Sequence, residues 1–249
     1  MKRLAWVLFV IIAFMQIRCH SQGEQKKNIL LFTKTMAWRH DSIEPAIDAI
    51  KGLAGKYNYK VFHTEDGSYF VSENLKNYHA IIFLNTSGDI LDNNQQKHFK
   101  NYINGGGGWV GIHCATDTET DWPWYGGLAG AYFNGHPEIQ KAKLVVVDKT
   151  HMSTIMLPNS WIRTDEWYNF KDISENINIL IKIDENSYQG GTNGINHPIA
   201  WYHLFDGGRS FYTALGHTSE SYTEKLFLEH LLGGIKWASG EDSLNKINK

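Results

Sequence analysis

Four positions pair a side chain able to move protons or bind metal with a place beside or just beyond an extended run: His113, Asp117, Glu166 and His217. Near neutral pH an imidazole serves as a base or as a metal ligand, and a carboxylate supports it in either role. His113 ends the run Trp109-Val110-Gly111-Ile112 and precedes Cys114-Ala115-Thr116-Asp117. The turn that carries the nucleophile in several α/β enzymes therefore carries an imidazole here. His217 follows the apolar stretch Arg209–Leu215, and Glu166 lies in Thr164-Asp165-Glu166-Trp167-Tyr168, two carboxylates beside aromatic rings. These four are the expected catalytic set. His113, His217 and Glu166 are also the expected ligands of a divalent metal such as zinc. No His-Glu-x-x-His or paired-cysteine spacing occurs, so such a centre must be assembled from distant segments. The competing reading is structural: a histidine bonded to a buried backbone carbonyl, and a solvated acidic turn.

Around this set, Arg39 and His40 are available for hydroxyls or a carboxylate of a substrate, and His136 and His197 lie on loops that can fold over it. Trp167, Tyr168 and Trp201 offer rings suited to partly polar ligands such as sugars, although loop packing explains such rings equally well. Cys114 is a candidate thiolate nucleophile, but a lone cysteine beside a buried strand is more often a small apolar side chain. The four glycines at 105–108 come before a strand rather than between strand and helix, so they lack the helix amides that cradle phosphate.

The elements that must position these groups are legible as alternating runs. Asn28–Lys34, Tyr59–Thr64, Ala80–Asn85 and Trp109–His113 have strand length. Between them Ile43, Ile47, Ile50 and Leu53 repeat at helical spacing after a cap at Asp41 or Ser42, and a second helix is expected from about Asp92 to Asn104. Strands buried on both sides and alternating with helices predict a parallel sheet covered on both faces, with ligands outside the strands' carboxyl ends. Further strands are expected at Lys143–Val147, Ile177–Ile183, Ile199–Leu204 and Arg209–Leu215, and a last helix near Thr223–Trp237.

Composition sets the outer limits. With 24 Lys+Arg against 26 Asp+Glu, the net charge of −2 speaks against a nucleic-acid clamp. A hydrophobic content of 42% lies above the disordered range and suits one packed domain. Lys2 and Arg3 precede an apolar stretch from Leu4 to Ile17, the order of an export signal. Residues 1–21 are therefore expected to be removed near Ser21, leaving a domain over 22–240 and a loose tail at 241–249. The mature chain would be periplasmic or extracellular, with no transmembrane anchor, and Cys19 offers an alternative route to a lipoprotein.

Six segments together resemble the trehalose-utilization (ThuA-like) family: LLFTKTMAWRHDSI (30–43), NTSGD (85–89), GGGGWVGIHCATD (105–117), TDEWYNF (164–170), HPIAWYH (197–203) and GGRSFYTALGHTSESY (207–222). The resemblance implies an α/β, flavodoxin-like fold of the class I glutamine amidotransferase type, with a mainly parallel sheet and helices on both faces. It also implies a carbohydrate ligand: a glycoside, a disaccharide or an oxidised sugar derivative. Against the amidotransferase pattern His113 stands in the nucleophile's place, His217 matches the histidine after the late strand, and Glu220 matches the third member only loosely. The expected function is thus a sugar-active enzyme, with a hydrolase, lyase or isomerase reaction open. The rival expectations are a carbohydrate-binding accessory protein and a Cys114-dependent amidohydrolase.

Overall fold

A computed structural model describes residues 26–241. The expected export signal, Cys19 and the tail beyond residue 241 lie outside them. The chain runs β1 (Lys27–Phe32), α1 (Ile43–Lys56), β2 (Tyr59–Thr64), α2 (Ser72–Leu75), β3 (Ala80–Leu84), α3 (Asn93–Asn104), β4 (Gly108–Ile112), α4 (Pro123–Ala129) and β5 (Tyr132–Phe133). It continues through β6 (Gln140–Val146), β7 (Ser160–Asp165), β8 (Phe170–Lys171), β9 (Asn178–Ile183), β10 (Pro198–Phe205), β11 (Gly208–Thr213) and α5 (Lys225–Ala238).

Strands β3 and β4 are buried at every position, the pattern of central strands covered on both faces. They sit mid-sheet in the order β2-β1-β3-β4-β11-β10-β9-β6-β7, while β5 and β8 form a separate two-stranded ribbon. Pairing is parallel from β2 to β11 and antiparallel from β11 to β7. Along β11 neighbouring side chains serve opposite faces. The Phe211 ring packs against α5 at Gly234, whereas the Ser210 hydroxyl donates to the Leu128 carbonyl of α4. The result is an α/β, flavodoxin-like protein, as expected. Two features differ from the sequence expectation: half of the sheet's pairings are antiparallel, and β7, α4 and the β5–β8 ribbon occupy stretches expected to be loop.

Local chemistry sets the helix ends. Asp92 caps α3 by accepting from the Asn94 and Gln95 amides, and Gln95 returns a bond to the Asp92 amide, a reciprocal box that satisfies otherwise orphaned donors. The α3 helix then stops at the glycine run, where Gly106 takes φ +93°, a conformation without steric cost only for glycine.

The antiparallel half matters for the site because it curls back. In pairing order β7 lies four strands beyond β11, yet the Asp165 carboxylate at its end is 3.0 Å from the Gly216 amide, just past β11. Two distant strand ends are thereby brought to one rim.

Candidate functional site

Four strands deliver the central groups to that rim. His40 lies in the loop after β1, His113 directly follows β4, Glu166 directly follows β7, and His217 follows β11. Facing donor atoms of the four lie within 4.8 Å of one another. His113 has φ +49°, a left-handed conformation uncommon for a residue with a Cβ, which turns its ring across the strand end. Gly216, at φ +107°, has no room for a side chain, because an added Cβ would meet the Tyr222 hydroxyl at 2.6 Å.

Three of the donors form a nearly equilateral triangle. His113 Nε2 is 3.1 Å from His217 Nδ1 and 3.3 Å from Glu166 Oε2, and His217 Nδ1 is 3.1 Å from the same oxygen. On the far side of the His113 ring, Nδ1 lies 2.8 Å from the Ala214 carbonyl. A carbonyl only accepts, so Nδ1 carries a hydrogen, and it is Nε2 that the ring turns into the triangle, with a lone pair there whenever the ring is neutral. Lone pairs and a carboxylate at these distances repel unless a proton or a cation sits among them. Tetrahedral zinc with bonds of ~2.0–2.1 Å to nitrogen or oxygen requires donors about 3.3–3.4 Å apart, close to the observed spacings.

His40 completes the group. Its ring stands edge-on to His113 and His217, with centroids 4.9 and 5.0 Å away, and its buried Nδ1 has no hydrogen-bond partner. Burial, aided by the two neighbouring imidazoles, lowers its pKa to about 3, so the ring is neutral and ready to bind a cation. Burial opposes the charge on Glu166 as well, but hydrogen bonds and charge from His113 and His217 prevail and hold its carboxyl well below the usual range. At His217 burial again works against the charged form, and Glu166 outweighs it to raise the pKa. Three imidazoles and one carboxylate form a borderline donor set suited to zinc and its neighbours.

A second layer orients these groups. His136 Nδ1 is 3.1 Å from Glu166 Oε1, leaving Oε2 to the triangle. Asp165, fully buried, accepts from the Gly216, His217 and Glu166 amides and pairs with Arg163 at 3.1 Å. Arg163 in turn donates to Ser221 and approaches Glu224. Such outer bonds fix ligand direction.

Not every expected residue takes its expected part. His40, expected at the substrate, stands with His113, Glu166 and His217 in the group that could hold a metal ion. His136 holds Glu166, although it also lines the cavity beside the cluster. Asp117 lies in that cavity's wall, and burial raises its pKa. Tyr168 packs its ring 4.2 Å from that of His113 and reaches the cavity, though it is only 2% exposed. Arg39 borders a smaller cavity nearby, its guanidinium paired with Glu44 and Glu65.

Trp167, Trp201 and His197 are corrections. Both indoles are fully buried and donate to backbone carbonyls, Trp167 to Gln140 and Trp201 to Ala129. His197 is equally buried, bound between Glu185 and the Tyr168 carbonyl. None can meet a substrate in this arrangement, since their polar atoms already have partners inside the core. Glu220 is exposed and apart from the cluster; the third position near the two histidines is filled by Glu166. Trp38, absent from the expected site residues, borders both cavities and is 69% exposed. Its place just after the first strand was the available signal.

Cys114 also lines the larger cavity but is 2% exposed, and burial pushes its thiol up to about 12. A nucleophilic cysteine needs the opposite shift. Cys114→Ser is expected to change any turnover by less than about threefold, and iodoacetamide to label the folded protein slowly if at all. Abolished turnover in the serine variant, with its fold intact, would restore the thiol mechanism.

Fold and site together define a flavodoxin-like α/β protein with a three-histidine, one-carboxylate cluster at the carboxyl ends of its strands. The trehalose-utilisation (ThuA) family model matches residues 28–238, and the chain belongs to that family. Among solved structures, it is similar to a ThuA-like protein from Bacteroides uniformis, with 26% identity, a TM-score of 0.76, and 88% of this chain and 94% of that one covered. It is also similar to a ThuA-like protein from Parabacteroides merdae, with 20% identity, a TM-score of 0.74, and coverage of 90% and 94%. A β-galactosidase from Bacillus circulans shares the fold over 32% of its own chain and 88% of this one, with 13% identity and a TM-score of 0.56. No curated protein matches the sequence. No described helix is long and apolar enough to cross a membrane.

Proposed function

We propose that the protein is an exported, metal-dependent enzyme acting on a small sugar derivative at the His40–His113–Glu166–His217 cluster. The observation that carries the reading is the triangle of His113 Nε2, His217 Nδ1 and Glu166 Oε2, spaced 3.1–3.3 Å, with Nε2 held inward by the bond of Nδ1 to the Ala214 carbonyl. The orphaned Nδ1 of His40 beside it supports the same conclusion. A divalent cation held there supplies Lewis-acid polarisation of a substrate oxygen. The chain's own groups do the rest. His136 holds Glu166 in its orientation, and Tyr168 and Phe133 wall the cavity against water. Asp117, whose burial favours the protonated carboxyl, can deliver a proton to a departing oxygen or remove one from a hydroxyl. The cavity of about 510 Å³ falls in the range that encloses a compact ligand, and membership of a trehalose-utilisation family makes carbohydrate the natural class.

The test is metal analysis of purified protein, then incubation of the zinc-loaded form with disaccharides and their 3-keto forms, followed by mass spectrometry. One bound divalent ion per chain and conversion of at least one sugar are expected. Stoichiometric metal with binding but no conversion would make the protein a carbohydrate-binding accessory instead. Absence of metal after loading would remove the proposal.

A further inference from the structure

The parallel strands begin at the edge of the sheet opposite the cluster, and cations collect there. Lys27, Lys60 and Arg209 stand at the amino ends of β1, β2 and β11, Lys76 follows α2 on the way into β3, and Lys56 and Lys236 lie in the last turns of α1 and α5. Contacts tie the group together. Lys27 Nζ donates to the Ser239 carbonyl at 2.8 Å, Arg209 donates to the Trp237 carbonyl at 3.1 Å, and Lys236 Nζ stands 4.7 Å from the centre of the Tyr57 ring. Three acids are near: Glu241, paired with Lys27 at 3.5 Å, Asp206, which accepts from Trp124 and Asn104, and Glu73 on α2. The rim that carries the cluster has the reverse balance. Asp41, Glu44, Glu65, Asp89, Asp92 and Glu220 follow strand carboxyl ends or open the next helix, against Lys34, Arg39 and Lys225. A chain of formal charge −2 is therefore polarised from one edge to the other.

A cavity of about 500 Å³ opens at the basic edge. Lys76, His79, His98, Asn101 and Arg209 line it, and among the described residues no carboxylate does. Helices α3 and α5 end here, and helix carboxyl ends attract cations in their own right. Those ends are already served, by Lys27 and Arg209 and by the Gly105 and Gly106 amides, which donate to the Asn101 and Ile103 carbonyls. The side chains of Lys76 and Asn101, by contrast, have no partner among the described residues. His79 accepts the Asn28 amide on Nδ1 at 3.2 Å, so its neutral ring carries the hydrogen on Nε2. Uncommitted donors in a cavity without an acid suit an anion.

We infer that this edge docks on an anionic phospholipid surface, with one headgroup phosphate seated in the cavity. Two observations favour a membrane over other polyanions. β1 begins at Lys27 on this edge, so the sequence before it, which holds the expected export signal and Cys19, joins the protein here. Tyr57, 46% exposed, pairs its ring with Lys236, the combination of aromatic and cation that suits a membrane interface. The acidic rim is repelled by the same surface, so the metal cluster faces the aqueous side.

The experiment is co-sedimentation of the mature protein with vesicles of phosphatidylcholine alone or mixed three to one with phosphatidylglycerol, in 50 and 500 mM NaCl. Wild type is expected to bind the mixed vesicles at least tenfold more tightly than the neutral ones, and to lose that preference at the higher salt as the charges are screened. Lys60→Glu with Lys76→Glu should weaken binding to the mixed vesicles at least tenfold. Lys171→Glu with Lys225→Glu makes the same change in net charge on the far side, where Lys171 acts on Asp117 and Lys225 opens α5, and should weaken it less than threefold. Melting temperatures should match wild type in both. Equal binding to the two kinds of vesicle, or equal losses in the two double variants, overturns the inference. Tighter binding to duplex DNA than to the mixed vesicles would give the face to nucleic acid and overturn it as well.

Discussion

Glu166→Gln is expected to yield a folded protein that retains less than a tenth of the wild-type zinc at equal free metal, and no turnover. Glu166 supplies the one negative charge in the donor set, and its Oε2 is the corner shared by the 3.1 and 3.3 Å contacts to the two histidines. An amide of the same shape keeps the volume but loses the charge, and one of its two orientations turns an N–H₂ toward lone pairs and a cation. Disturbing groups that only orient metal ligands commonly costs ~10–100-fold in affinity, so loss of an anionic ligand should exceed that range. The fold should survive, because Glu166 in the metal-free protein is a charge held at the rim rather than a piece of the core. Wild-type zinc occupancy in Glu166→Gln, measured by elemental analysis after dialysis against a fixed free-zinc buffer, would show that the metal does not sit at this cluster.

The second large effect concerns acid stability and arises far from the rim. His151 and His230 flank the Phe211 ring, with centroids 6.2 and 5.4 Å from it, and each has a buried Nε2 with no partner. Burial lowers the His151 pKa to about 4, against a small opposing effect of Asp148. Burial likewise lowers His230 to about 3, with its bond to the Ser153 carbonyl opposing and His151 and Arg163 reinforcing. Both are therefore neutral in the folded state, while an unfolded histidine takes up a proton near ~6.5. Their contribution is fully present above that value and is lost as pH falls from about 6.5 toward 4 and 3. Between pH 6.5 and 5 the loss should reach roughly 2–4 kcal/mol for the pair, in a window where ordinary carboxylates remain ionised. Urea unfolding of the zinc-loaded protein at several pH values should give a falling midpoint across that window, and His151→Phe with His230→Leu should flatten the slope. A wild-type midpoint that does not change between pH 7 and 5 would contradict this account.

Much of the parallel half was legible because its strands are buried on both sides. Runs such as Ala80–Leu84 need no partner information to be recognised, and α3 announced its start through Asp92 and Gln95. The missed strand β7 shows why the rest was not. In Ser160–Asp165 the inward residues are Trp161, Arg163 and Asp165, while Ile162 points outward at 65% exposure. Strand recognition depends on apolar residues facing in, and here the buried face carries an ion pair that ties two loops together. Trp167 and Trp201 failed for a related reason: a tryptophan next to polar residues reads as a ligand platform until the buried carbonyl receiving its N–H is known. His113, Glu166 and His217 were recognisable as chemistry at predicted strand ends or beside aromatic turns. His113 and His217 meet because β4 pairs directly with β11, but the arrival of Glu166 between them was not legible, because it depends on the curl of the antiparallel strands whose register no local pattern encodes.

That curl bears on when a metal could be captured. His40, His113 and His217 all descend from the parallel half of the sheet, whereas Glu166 arrives on its outermost strand. A full-length chain with only the parallel half packed would present three imidazoles without their carboxylate, and would hold a cation weakly. An ion held by all four residues would therefore require docking of that edge strand, and its capture would report a chain that has finished folding.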